Sequence, residues 1–193
     1  MTPALHTMLS SAASGSFRSQ VSALMGASHA LRFLRASRLA LFAFLAPLAL
    51  YAAPRIENST LVLDHAFSFE GNTATLTSAS KAAVAETAEF LRAKTFITRV
   101  RIEGHVAAAK QSPASAQTLS EARARAVCAA LIAQGIDCAR LLPVGFGANK
   151  PAAAPGDAAN TRIEIKMAAL RGKLIGGLPE DGGGQVAGNP CEK

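Results

Sequence analysis

The chain has no tryptophan and one tyrosine, Tyr51, and aromatic residues make up 5% of its 193 positions. That scarcity removes the stacking platforms on which single-stranded nucleic acids are read. It also argues against an all-β sandwich. Half of the residues are apolar, many of them alanine, which suits small-residue helices better. Acid is missing too. Residues 1–52 hold Arg18, Arg32, Arg35 and Arg38 and no Asp or Glu, a charge of +4. The remaining 141 residues carry 16 basic and 13 acidic side chains, leaving +3 of the total of +7. So slight an excess gives no electrostatic footprint for nucleic acid, and no nucleic-acid partner is expected.

The basic cluster "LRFLRASR" is followed by "LALFAFLAPLAL" and then "YAAPR". A charged region, an apolar core of about a dozen residues and small residues at its end form the pattern of a secretory signal peptide. Cleavage is expected near Ala52 or Ala53, with an uncleaved N-terminal anchor as the alternative. Translation from Met25 would give a charged region of ordinary length. No cysteine closes the apolar core, which removes the lipid-anchored class.

Cysteines number three, so one bridge leaves one thiol over. Export would place them in an oxidising compartment. Cys128 and Cys138 are candidates for a bridge, because the chain must turn back at Gly135 between them. The alternative is buried apolar cysteines or free thiols. Cys191 stands near the C-terminus.

Several chemistries lack their residues. "GFGANK" does not have the Gly-x-x-x-x-Gly-Lys-Ser/Thr spacing of a phosphate loop. No serine sits in a nucleophile elbow, no close carboxylate pair occurs, and His65, His105, Cys128 and Cys138 lack metal-ligand spacing. No enzyme, cofactor or metal is expected.

The remaining pattern is regular. Residues 53–60 read as a linker. "STLVLDHAFSFEGN" alternates around Leu61, Leu63, Phe67 and Phe69 and reads as a strand region. "TSASKAAVAETAEFLRAK" has Val84, Ala88 and Leu91 at helical spacing. Residues 97–103 alternate as a strand: Val100 and Ile102 point one way, Arg101 and Glu103 the other. A loop over 104–118 follows. "TLSEARARAVCAALIAQG" predicts a helix with Thr118 and Glu121 at capping-box spacing and Gly135 as the residue that ends it. "ARLLPVGFG" supplies a short strand, a Pro- and Ala-rich loop comes next, and "TRIEIKM" closes as a strand. The order β-α-β-α-β-β predicts an α/β (α+β) two-layer sandwich with helices packed on a mixed sheet. Residues 168–193, rich in Gly and Pro, read as an extended or flexible tail.

From Leu61 to Met167 the landmarks "FSF", "VRIEGH", "LSEARARAV", "QGID", "RLLPVGFGANKP" and "GDAANTRIEI" occur in order. Together they resemble the C-terminal domain of outer-membrane protein A, the OmpA-like peptidoglycan-binding family. The resemblance implies a non-catalytic module that holds the diaminopimelate end of the peptidoglycan stem peptide, in the periplasm of a Gram-negative bacterium and associated with its outer membrane or wall. Outer-membrane or other envelope proteins are further partners it allows. It implies an Asp, an Asn and two Arg side chains at the site. One of these stands here as Arg123, in the first turns of a helix, where an anion is favoured. At the other three positions stand Ala107, Ala116 and Thr161. From Gly104 to Ser120 there is no acid at all. A lost charged hydrogen bond costs about 1.5–3 kcal/mol, or ten- to hundredfold in affinity. The expected site is therefore partly degenerate, with Arg123, Asp157, Arg162 and His105 as its candidate residues. Asp157 replaces a base with an acid in the last motif and could supply the missing carboxylate. His105, just past the strand, is expected to hydrogen-bond locally. The alternative function is a diverged module for protein–protein contact without peptidoglycan binding.

Overall fold

A computed structural model describes residues 53–107 and 112–192. The signal-peptide and anchor expectations fall on residues 1–52 and lie outside them. Among the described residues no helix is long and apolar enough to cross a membrane.

Among the described residues two α-helices and seven strands form the domain. A short hairpin, β1 (Arg55–Glu57) and β2 (Thr60–Val62), occupies the expected linker. Asn58 and Ser59 make its turn at positive φ. Helix α1 (Ser80–Ala93) buries Ala83, Val84, Thr87, Ala88, Phe90 and Leu91. Strand β3 (Ile97–His105) leads to α2 (Pro113–Ala133), and β4 (Leu141–Gly147) and β5 (Arg162–Leu170) follow. The sheet order is β1-β2-β5-β3-β4, with a short tail strand beyond β4. β3 and β4 run parallel and the other pairings are antiparallel, so the sheet is mixed as expected.

Helix α2 begins five residues before the predicted Thr118. Ser112 caps it by accepting a hydrogen bond from the Ser115 N–H, and Pro113 takes the first helical position, where its missing N–H costs nothing. Thr118 instead donates its hydroxyl to the Ala114 carbonyl inside the helix. The C-terminal end follows the sequence. Gly135 has φ +84°, and the Gly135 and Ile136 N–H groups bond the Ile132 and Leu131 carbonyls. That pairing is a Schellman motif.

Val100, Ile102, Ile165, Met167, Val127 and Leu131 meet in one core between the sheet and the helices. Gly104 and Gly145, partners in the β3–β4 ladder, let α2 settle onto the sheet. A Cβ on Gly104 would overlap the Ser120 carbonyl oxygen, and one on Gly145 would overlap Glu121.

The tail departs most from expectation. β5 runs on to Leu170, a turn at Arg171–Gly172 follows, and β6 (Lys173–Leu174) pairs back on β5. The chain then crosses the sheet face away from the helices and adds β7 (Gln185–Val186) beyond β4. A Cys138–Cys191 disulfide fastens its end. The Cys128–Cys138 bridge proposed from sequence is thereby corrected. Cys128 points from α2 into the core, is 1% exposed and remains a thiol, and burial pushes it up to about 12. A helix residue turned toward the sheet cannot also reach the surface turn that holds Cys138.

Candidate ligand-binding site

Arg123 lies in the middle of α2, where Ser120, Ala124 and Val127 are buried around it. Its guanidinium turns to the loop before α1. Nε donates to the Thr73 carbonyl at 2.9 Å and Nη2 to the Gly71 carbonyl at 2.8 Å, and the group sits 4.7 Å over the Phe69 ring. Burial lowers its pKa from the usual guanidinium value. At 4% exposure it is largely a structural anchor for the 69–75 loop. Among the described residues Nη1 has no hydrogen-bond partner. A groove of about 500 Å³ lies between Asn72 and Ala74 of that loop and Ala114, Ser115 and Thr118 of α2, and Arg123 does not line it.

Ala107 and Thr161 come together. The Ala107 N–H donates to Thr161 Oγ1 at 3.1 Å. Beside Ala107 is a cavity of about 130 Å³ whose lining includes Gly147, Gly156, Asn160 and Lys150. Ala116 is fully buried against the domain. Asp157 does not line this cavity. Its carboxylate accepts from the Ala159 N–H at 2.8 Å and caps a one-turn helix, Ala158–Asn160. The adjoining loop is shaped by Asn160, whose side-chain oxygen accepts from the N–H groups of Ala152 and Ala153.

His105 and Arg162 face the opposite side of the sheet from α2. They belong to a charged layer that sequence reading missed, made by alternate residues of β3 and β5. Arg101 donates to Glu103 at 2.9 Å, Arg162 to Glu164 at 2.6 Å and Lys166 to Glu164 at 2.9 Å. Burial raises the Glu103 pKa, against the pull of Arg101. For Glu164, burial would raise the pKa, but the Lys166 and Arg162 hydrogen bonds outweigh it and hold the group at about 2. His105 stacks on Phe146, with ring centroids 5.2 Å apart and 9° between planes. The local hydrogen bond expected for it is not found: both ring nitrogens are buried without partners among the described residues. The Glu103 carboxylate lies 3.9 Å from Nε2. Burial first, and Arg162 second, lower the His105 pKa to about 4, so the ring is neutral at pH 7.

Ligand atoms of Glu103, His105 and Glu164 lie within 4.8 Å of one another. The spacing alone would suit a cation, but the surrounding charge does not. Arg101, Arg162, Lys166 and Lys150 outnumber the two carboxylates, and both Glu164 oxygens are already engaged. The field that keeps His105 neutral would equally oppose a dication. The layer is an ionic network, buried at Arg101 and Glu103 and partly exposed at Arg162, Glu164 and Lys166. Its signal in the sequence was the charge alternation Arg101–Glu103 and Arg162–Glu164–Lys166. Alternation reports a shared face but not whether water reaches it.

The four candidates therefore do not form one pocket. Arg123 stands on the helix side, Asp157 on a loop, and His105 with Arg162 on the opposite face of the sheet.

Residues 68–163 match the OmpA family. No curated protein matches the chain. Among solved structures it is similar to the OmpA-like domain of FopA1 from Francisella tularensis subsp. tularensis SCHU S4, with 27% identity, a TM-score of 0.50, and 64% of this chain and 82% of that one covered. It also resembles the periplasmic domain of Helicobacter pylori MotB, at 19% identity and TM-score 0.50, covering 60% of this chain and 79% of that one. A third similar structure is the peptidoglycan-associated lipoprotein from Burkholderia pseudomallei, at 23% identity and TM-score 0.45, covering 53% and 86%. With the mixed sheet, the two helices and the ordered landmarks in agreement, residues 68–163 of this chain form a domain of the OmpA family.

Proposed function

We propose that this protein is a non-catalytic module of the Gram-negative cell envelope, exported to the periplasm, that associates with peptidoglycan through a reduced form of the family site. Arg123 carries the reading. It stands on α2 at the position where the resemblance puts the receptor for a stem-peptide carboxylate, and its Nε and Nη2 are engaged by loop carbonyls. The resemblance assigns the missing acid and base to Ala107 and Thr161, which stand next to each other here, the Ala107 N–H donating to Thr161 Oγ1. Without them the diaminopimelate ammonium has no counter-charge from this segment, so binding is weak.

A second reading, a module for envelope protein contacts, is favoured by the commitment of Arg123 Nε and Nη2 to loop carbonyls. A pull-down of the purified protein on diaminopimelate-type sacculi separates the two. Retention that falls about tenfold or more in Arg123→Ala, and rises in Ala107→Asp, supports the wall reading. Wild-type protein left in the supernatant, with no gain from Ala107→Asp, supports the second. Asp157→Ala in the same assay should leave retention unchanged, because that carboxylate is occupied as a helix cap.

A further inference from the structure

The family domain ends near residue 163, yet the chain continues over the sheet, and what it covers is not inert. Residues 175–192 form a strap across the helix-free face. The Ile175 N–H bonds the Ala168 carbonyl, and the Gly176 and Gly177 carbonyls accept from Arg101 Nη2 and Nη1 at 3.1 Å each. Gly184 lies against the Phe146 ring, where a Cβ would be 2.7 Å from its edge. Asn149 holds the Gly183 carbonyl. Beneath the strap lie Glu103 and His105, each 1% exposed, with Phe146.

The strap's own hold is slight. Gly176, Gly177, Gly182, Gly183 and Gly188 all have positive φ, so the unfastened segment regains much backbone freedom. Its ladder with β4 is two residue pairs, Val144–Val186 and Gly145–Gln185, with one further bond from the Ala187 N–H to the Pro143 carbonyl. Leu178 is 65% exposed and Val186 42%. Ala187, at 4%, is its one buried apolar side chain. The covalent tie is Cys138–Cys191, and Cys191 lies at the surface, within reach of a dithiol.

We propose that this strap is a redox-locked cover: the Cys138–Cys191 disulfide keeps it closed over the charged face of the sheet, and reduction by a dithiol opens it while the OmpA-family core stays folded. A dithiol thiolate attacks one sulfur of the bridge and forms a mixed disulfide. Its second thiol then displaces the protein sulfur. Two electrons pass to the bridge, which ends as two thiols, and the dithiol ends as a disulfide. Opening strips the second neighbour from β4 and brings water to Glu103 and His105. What is then presented is the free edge of β4 together with Arg101, released from the Gly176 and Gly177 carbonyls.

Hydrogen exchange on the whole protein, before and after dithiothreitol, tests this. In the reduced protein the Ala187 amide should lose protection by about tenfold or more, while Val100–Ile102 in β3 keep theirs. The His105 ring should then titrate near its ordinary value by NMR. Cys191→Ser without reductant should reproduce both changes. Unchanged protection at Ala187 in the reduced protein would overturn the proposal, since the strap would be holding itself. So would loss of protection across β3 and the strap together, since the bridge would then be a general staple.

Discussion

His105 makes folding stability depend on pH in a window where few other groups titrate. In the native state the ring is neutral down to about pH 4, because burial and Arg162 oppose its charging. In the unfolded chain it protonates near 6.5. Between these values the unfolded state binds the extra proton, so stability falls as the solution is acidified. The contribution is fully present above pH 6.5 and exhausted near pH 4. At about 1.4 kcal/mol per pH unit the window is worth about 3 kcal/mol. The groups facing the ring are Glu103, Glu164, Arg162, Lys150 and Lys166. Glu103 acts with the opposite sign, because its raised pKa lets the native state hold a proton above the ordinary carboxylate value. Glu164 acts in a lower window, from about 4.5 to 2. A difference measurement therefore isolates the imidazole. Urea unfolding of wild type and His105→Gln at pH 7.5, 6.5, 5.5 and 4.5 should give curves that converge on acidification, with wild type losing the larger share. Curves that stay parallel from 7.5 to 4.5 would refute the assignment, whatever their offset, since the offset contains the cost of burying an unpaired amide.

Two further outcomes follow from packing. Gly104→Ala should destabilise the domain by about 3 kcal/mol, because the new methyl meets the Ser120 carbonyl, which is main chain and can move only with α2. Gly135→Ala should cost about 1 kcal/mol, since φ is +84° but nothing lies within 4 Å, and thermal unfolding of the pair checks the contrast. Cys128, buried with its pKa at about 12, should stay unreactive to a thiol reagent in the native protein at pH 8 and react on unfolding.

The fold was legible because its signals are local. Val84, Ala88 and Leu91 repeat at helical spacing, and Ile163, Ile165 and Met167 alternate. Each pattern corresponds to one buried face of one element. The start of α2 was misread because a capping box and a Ser-Pro start compete in one stretch, and proline at the first turn wins by preset φ. The tail was misread because composition reports intrinsic stiffness, whereas this tail is ordered by contacts 53 residues apart in sequence, at Cys138–Cys191. The disulfide error has the same origin. Sequence nearness favoured Cys128, but helical phase turned that side chain inward, and neither distance along the chain nor composition encodes phase relative to the sheet.

The candidate site was less legible for a different reason. Matching Arg123 to a ligand-contacting position assumes that the side chain has a single use. Here two of its nitrogens tie down the 69–75 loop and its plane covers Phe69, so Arg123 would be favoured at this position even in a domain that had lost its ligand. Its presence therefore discriminates poorly between a wall binder and a contact module. The informative positions are those where structure makes no demand. Ala107 is half-buried, sits at the mouth of a small cavity and contributes only its backbone N–H to Thr161. Ala107 lies outside the packed core, so a carboxylate there tests the site more than the fold. For the same reason Ala107→Asp is a sharper probe than Arg123→Ala. A loss on removing Arg123 mixes loop unfolding with ligand loss, whereas a gain on restoring the acid can come only from a pocket that still has the shape to use it.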